Sequence, residues 1–212
     1  MERSCLPGVV AVALLAAAGN AAAQAAAPAP SKDKEAVTFR EVERGLYLGA
    51  YAGPLFILNP PATSGPRPFS PGQMATVEVG LDIGNLFSIG LFLTGTASRE
   101  GAAYIGSSGG TASGDFGMLI PGGAVRFNAV GLNDSQGTTR TFIYLRGGAG
   151  YAFYYPAALL GGVQDVLAFG GAGIEYYTRL RHFSIGLEAT GSILVPSGAL
   201  GFAVTPSLRY AF

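Results

Sequence analysis

His182 and Ser184 stand two residues apart, and Glu188 follows four residues later. On an extended chain all three side chains share one face, where a carboxylate could orient the imidazole and the imidazole could activate the hydroxyl. The histidine, however, belongs to the short basic turn Arg179-Leu180-Arg181-His182, at the edge of any strand that follows. The expectation is a lone histidine on a rim, and no enzyme. With one histidine and one cysteine (Cys5) in the chain, a metal centre is not expected. Glycine runs at 147–150 and 170–173 resemble phosphate cradles in composition only. They lack the following helix and the Lys-Ser/Thr pair, so no nucleotide or other cofactor is predicted.

A second constellation is dispersed. Glu78, Glu175 and Glu188, with Arg126, Arg146 and Arg209, all fall on the polar side of period-two segments. Three acids and three bases on one face demand mutual pairing if that face is buried. Such a network could form a selectivity ring or a proton path, but the favoured role is to fill and seal an interior.

The elements that would position these charges are strands. In 74–83, Ala75, Val77, Val79 and Leu81 alternate with Thr76, Glu78, Gly80 and Asp82. In 183–194, Phe183, Ile185, Leu187, Ala189 and Ile193 oppose Ser184, Gly186, Glu188, Thr190 and Ser192. In 202–212, Phe202, Val204, Leu208, Tyr210 and Phe212 oppose Ala203, Thr205, Ser207, Arg209 and Ala211. One face is apolar and the other is polar or very small. Eight strands are predicted, at 45–58, 74–83, 86–98, 115–130, 139–154, 165–178, 183–194 and 202–212. Long connections at 59–73, 99–114 and 155–164 alternate with short or medium ones at 84–85, 131–138 and 179–182, while 195–201 is intermediate. Long loops on one rim and short turns on the other are the pattern of an all-β, single antiparallel transmembrane barrel.

Composition agrees. Hydrophobic residues make up 49% and charged residues 12% of 212 positions, with a mean hydropathy of +0.37. That charged share is about half the usual value for a soluble domain, whereas a wall facing lipid has no such need for charge. Thirteen basic and thirteen acidic residues leave no net charge to attract nucleic acid. Arg3, an apolar stretch over 6–18 and Asn20-Ala21-Ala22-Ala23-Gln24 read as a secretory signal over 1–23, cleaved after Ala23. An Ala- and Pro-rich lead-in over 24–44 would precede the barrel domain at 45–212, with Cys5 lost on export. Leu208, Tyr210 and Phe212 form a same-parity apolar row ending on an aromatic, which resembles the signal read by the outer-membrane assembly machinery. The expected location is the outer membrane, with its lipid as the first partner.

If the wall is structural, function belongs to the loops. The segment 59–73 is stiffened by prolines and presents Arg67 and Phe69 at low entropic cost, as a candidate partner-contact loop. The segment 106–115 is rich in glycine and serine.

Several phrases carry a resemblance: Val37-Thr38-Phe39, Glu41-Val42-Glu43-Arg44-Gly45, Pro66-Arg67-Pro68-Phe69-Ser70-Pro71-Gly72-Gln73, Gly110-Thr111-Ala112-Ser113-Gly114-Asp115-Phe116, and 175–184. Together they resemble the contact-dependent adventurous gliding motility protein CglE and its relatives, small outer-membrane proteins of gliding bacteria. The resemblance implies a barrel component of surface gliding, in company with other envelope motility proteins. A general OmpA/OmpX-like barrel for adhesion or envelope integrity is the alternative. The His-x-Ser pair is similar to that of the lipid A deacylase barrels, a third reading. In that family, though, the pair works near the outer leaflet and the acid stands further from the serine.

Overall fold

The computed structural model describes residues 42–58, 70–99, 115–155, 164–180, 182–196 and 198–212. The signal sequence, the lead-in as far as residue 41, Arg67, Phe69, the loop 100–114 and Arg181 lie outside the described residues.

The alternating segments become eight strands: β1 (Leu46–Ile57), β2 (Ser70–Ile83), β3 (Phe87–Arg99), β4 (Asp115–Asn133), β5 (Thr139–Tyr155), β6 (Asp165–Tyr177), β7 (Phe183–Val195) and β8 (Ala199–Ala211). Each pairs antiparallel with its sequence neighbour, and β1 pairs with β8 to close the barrel. Closure satisfies every edge, the requirement that hydrocarbon imposes on backbone N–H and C=O groups.

Three strands outrun their sequence-based bounds by three residues or more. β2 begins at Ser70 and not at 74, β4 runs to Asn133 and not 130, and β8 begins at Ala199 and not 202. The first extension enters the proline-rich segment: Pro71 sits opposite Phe56 of β1, near the strand's start. Proline is tolerated at a strand's beginning, and pairing to a long neighbour outweighs local composition. The extension of β4 follows a bulge between Asn128 and Val130, which sequence alternation cannot register, and holds a second register shift between Leu132 and Asn133.

The turns joining β2 to β3, β4 to β5 and β6 to β7 occupy one rim. Gly84 enters the first of them with φ +62°, and Gly137 the second with φ +77°, in the left-handed region that glycine adopts freely. In the second turn, Asp134 Oδ1 accepts hydrogen bonds from the amides of Gln136 (2.8 Å) and Thr138 (3.0 Å), and Oδ2 accepts one from Arg140 Nε at 2.9 Å. The connections after β1, β3, β5 and β7 leave from the opposite rim, hereafter the loop rim.

The outer wall is apolar. Val77, Val79, Leu81, Ile89, Leu91 and Leu93 are all exposed, Leu91 by 74%. Aromatic rings gather at both ends of this band. Phe87–Phe127, Phe183–Tyr210 and Tyr210–Phe212 pack near the turn rim at centroid separations of 5.2, 4.9 and 4.9 Å. Phe56–Phe202 and Tyr151–Phe153 lie near the loop rim. An apolar band flanked by two aromatic girdles is the wall of a membrane-spanning barrel. The row Leu208, Tyr210 and Phe212 is part of that wall on the final strand.

Candidate functional site

The lumen has two zones. Near the turn rim and at mid-height it is polar and charged. Towards the loop rim it is apolar, formed by Leu55, Ile57, Phe92, Met118, Ile120 and Leu194 with smaller neighbours. Short polar side chains were expected to dominate throughout. The apolar zone comes mostly from β1 and β4, where both faces of the strand are hydrophobic and the sequence carries no sign of which points inward.

All six charges singled out in the sequence project into the polar zone and are buried. Glu188 and Glu175 expose only 1% and 3% of their surface. Strand alternation brings them inward, while closure of the barrel decides which of them meet. At the centre, Arg146 of β5 donates through one terminal nitrogen to Glu78 Oε2 of β2 and through the other to Glu188 Oε1 of β7, the latter at 2.9 Å. Tyr47 donates its hydroxyl to Glu78 Oε1 at 2.6 Å, and Tyr144 to Glu188 Oε2 at 3.0 Å. Each oxygen of both glutamates therefore has a donor.

Nearer the turn rim a second cluster forms. Arg126 of β4 donates to Glu175 Oε2 of β6 and, through Nε, to Asn128 Oδ1 at 2.9 Å. Ser184 donates to Glu175 Oε1 at 2.6 Å. Arg209 of β8 donates to Asp82 Oδ1 of β2, which also accepts from Ser88 at 2.5 Å. Arg209 also lies 3.9 Å from Glu175 Oε1, joining the two halves of the cluster. The guanidinium groups stack on rings: Arg209 over Tyr47 at 3.6 Å and Arg126 over Tyr144 at 3.7 Å. Such stacking spreads the charge over a polarisable face and excludes water.

These ion pairs do not join neighbouring strands. Arg126–Glu175 reaches across β5, Arg209–Asp82 across β1, and Arg146–Glu78 across the lumen itself. With Tyr47 on β1 and Ser88 on β3, all eight strands enter the network. Asp82, Tyr47, Tyr144 and Ser88 were not singled out from the sequence. Asp82 stood on the right face, and its chemistry alone would have nominated it; the tyrosines carried no signal separating interior from girdle. At the turn-rim mouth, Arg44 places its guanidinium over Phe142 (4.4 Å) and Tyr177 (5.4 Å), and among the described residues neither terminal nitrogen has a hydrogen-bond partner.

His182 and Ser184 do different work. His182 Nδ1 lies 2.8 Å from the carbonyl of Ala211 and 2.7 Å from Glu43 Oε2, its ring stacked on Tyr210 at the turn rim. Ser184 faces the lumen and is committed to Glu175, while Glu188 is held by Arg146 and Tyr144. The glutamate that alternation places on the serine's face thus serves the ion-pair network and does not orient the histidine. Among the described residues, no group of three or more His, Cys, Asp or Glu side chains is arranged to hold a metal.

No protein-family model and no curated protein sequence matches the chain. Among solved structures, it is similar to Neisserial surface protein A, with 12% identity over 79% of this chain and 97% of the other and a TM-score of 0.58. It also matches Ail, the attachment invasion locus protein of Yersinia pestis (13% identity, 80% and 100% coverage, TM-score 0.42). A third match is the N-terminal β-barrel domain of Pseudomonas aeruginosa OprF (10% identity, 80% and 100% coverage, TM-score 0.43). The latter two differ too much in shape to carry weight, and at 12% identity the first speaks for the fold alone. Closed topology, lipid-facing wall, double girdle and this likeness agree that the chain is an eight-stranded outer-membrane β-barrel.

Proposed function

We propose that this barrel is a non-conducting, non-catalytic scaffold of the outer membrane that acts through its loop rim, in adhesion or envelope integrity. The observation that carries this reading is the buried network of ion pairs and hydrogen bonds, which draws side chains of all eight strands together across the lumen. A ring built for ion passage keeps unpaired charges of one sign facing water. Here Glu78, Glu175, Glu188, Arg126, Arg146 and Arg209 are spent on one another. Planar-bilayer recording of the purified barrel should show no steady single-channel steps; regular steps would overturn the proposal.

Within this reading, Arg67 and Phe69 contact a partner at the cell surface, and Leu208, Tyr210 and Phe212 serve recognition by the assembly machinery. The finer role is surface gliding alongside other envelope motility proteins, supported by the sequence phrases at 37–45, 66–73, 110–116 and 175–184. Single-cell gliding speed in a clean deletion tests it. Arrest that is relieved by contact with donor cells supports gliding. Unchanged speed rejects that role and leaves the scaffold reading standing.

A further inference from the structure

The apolar zone of the lumen is not fully packed. Beneath the loop rim lies a cavity of about 70 Å³. Leu55, Ile57, Phe92, Met118, Ile120 and Leu194 supply its hydrophobic wall, and Thr190, Ser192 and Thr205 add hydroxyls on the β7–β8 side. Arg146 and Glu188, the central members of the ion-pair network, form its charged floor. Protein interiors ordinarily fill such space with side chains. A cavity that joins an apolar wall to a polar floor is the layout of a small-molecule site. Eight-stranded barrels are just wide enough to hold one small ligand.

The floor sets the chemistry. Each oxygen of Glu188 already accepts a hydrogen bond, from Arg146 or Tyr144, and Arg146 matches its charge, so an ammonium group would meet a carboxylate that is already paired. Arg146 sits between two glutamates, so an added carboxylate would meet a local excess of negative charge. What remains is the hydroxyls of Thr190, Ser192 and Thr205, each able to donate to a ligand oxygen. At roughly 15 Å³ for each water-sized position, the cavity offers about five such positions. That is too little for the acyl chain of a membrane lipid.

We propose that the loop-side half of the lumen is a binding chamber for a small neutral amphiphile, a short hydrocarbon body with a hydroxyl or carbonyl oxygen at one end. The body lies among Leu55, Phe92, Met118 and Ile120, and the oxygen meets the hydroxyls of Thr190, Ser192 and Thr205.

The chain carries its own reporters. It has three methionines, Met1, Met74 and Met118, and the latter two line the cavity. In the full chain, made without export so that Met1 is kept, folded in detergent micelles and labelled at the methionine methyl carbons, titration with n-butanol should shift the Met74 and Met118 signals saturably. Met1 should stay still. Butyrate and butylammonium should shift the pair at least tenfold less at equal concentration. Ala203→Leu fills the chamber from β8, where Ala203 faces Thr190 across the ladder, and should abolish the response while heat-modifiable gel migration shows a folded barrel. Should that variant fail to fold, Thr190→Leu fills the same space from β7. Shifts that rise without saturation, that match those of Met1, or that persist in the filled variant would overturn the proposal.

Discussion

Replacing Arg146 by methionine removes one guanidinium and strands two carboxylates. Glu78 and Glu188 would keep the hydroxyls of Tyr47 and Tyr144, each with one oxygen satisfied. Each would lose its charge partner in a site where the residues expose 3% and 1% of their surface. Breaking a buried pair in this way costs about 3–5 kcal/mol, because the remaining charge stays uncompensated. The methionine side chain roughly replaces the arginine's apolar stem, so the loss of packing is the smaller part. The triple variant Arg146→Met with Glu78→Gln and Glu188→Gln removes the stranded charges while keeping acceptors for both tyrosines. It should recover to within about 1–2 kcal/mol of the wild type, since neutral replacement of a whole buried cluster is often tolerated. Equilibrium unfolding by urea in phospholipid vesicles, with tyrosine fluorescence as the probe, reads both numbers. The two losses differ by on the order of 2 kcal/mol, taken from these two ranges. If the single and triple variants lose stability equally, packing and not charge is what Arg146 supplies. If the single variant loses less than about 1 kcal/mol, the cluster is hydrated and the sealed-lumen reasoning fails with it.

Two other perturbations follow from the same geometry. A methyl group at Gly90 would come within 2.7 Å of Glu78 Oε1 and 2.8 Å of the Tyr47 hydroxyl. Gly90→Ala should therefore loosen the Tyr47–Glu78 bond and cost about 1–3 kcal/mol in the same unfolding assay, the usual penalty of overpacking; an unchanged midpoint would show that Tyr47 is free to move aside. The Asp134 carboxyl is held below its ordinary range, first by the amide of Thr138 and then by those of Gln136 and the Arg140 guanidinium. A depressed folded-state pKa means the turn's stabilisation is complete above the ordinary carboxylate value and fades as pH falls through the lowered one. Protection factors for amide exchange at Gln136 and Thr138, each rate taken relative to its intrinsic rate at the same pH, should fall in that acidic window, and Asp134→Asn should remove this dependence. Equal dependence in both proteins would place its origin elsewhere.

Strand identity and the lipid-facing side were legible because lipid imposes a period-two signal that leaves little choice. Along 74–83 and 183–194, a register shifted by one residue would expose Glu78 or Glu188 to hydrocarbon, so those faces are assigned by residue type alone. The same reasoning put Arg126, Arg146, Glu175 and Arg209 inside. It could not say which acid each base would meet. Those pairings join strands that are not neighbours in the ladder, and they depend on the curvature and stagger with which the sheet closes. The bulge after Asn128 and the extension of β2 past Pro71 likewise come from partner strands and not from local preference. Where both faces of a strand are apolar, as with Leu55 and Phe56 or Met118 and Leu119, residue type is silent about direction. There the sequence determined only that a strand would form, and closure of the barrel, by turning Leu55, Ile57, Met118 and Ile120 inward together, decided that the lumen would have an apolar chamber above its sealed charges.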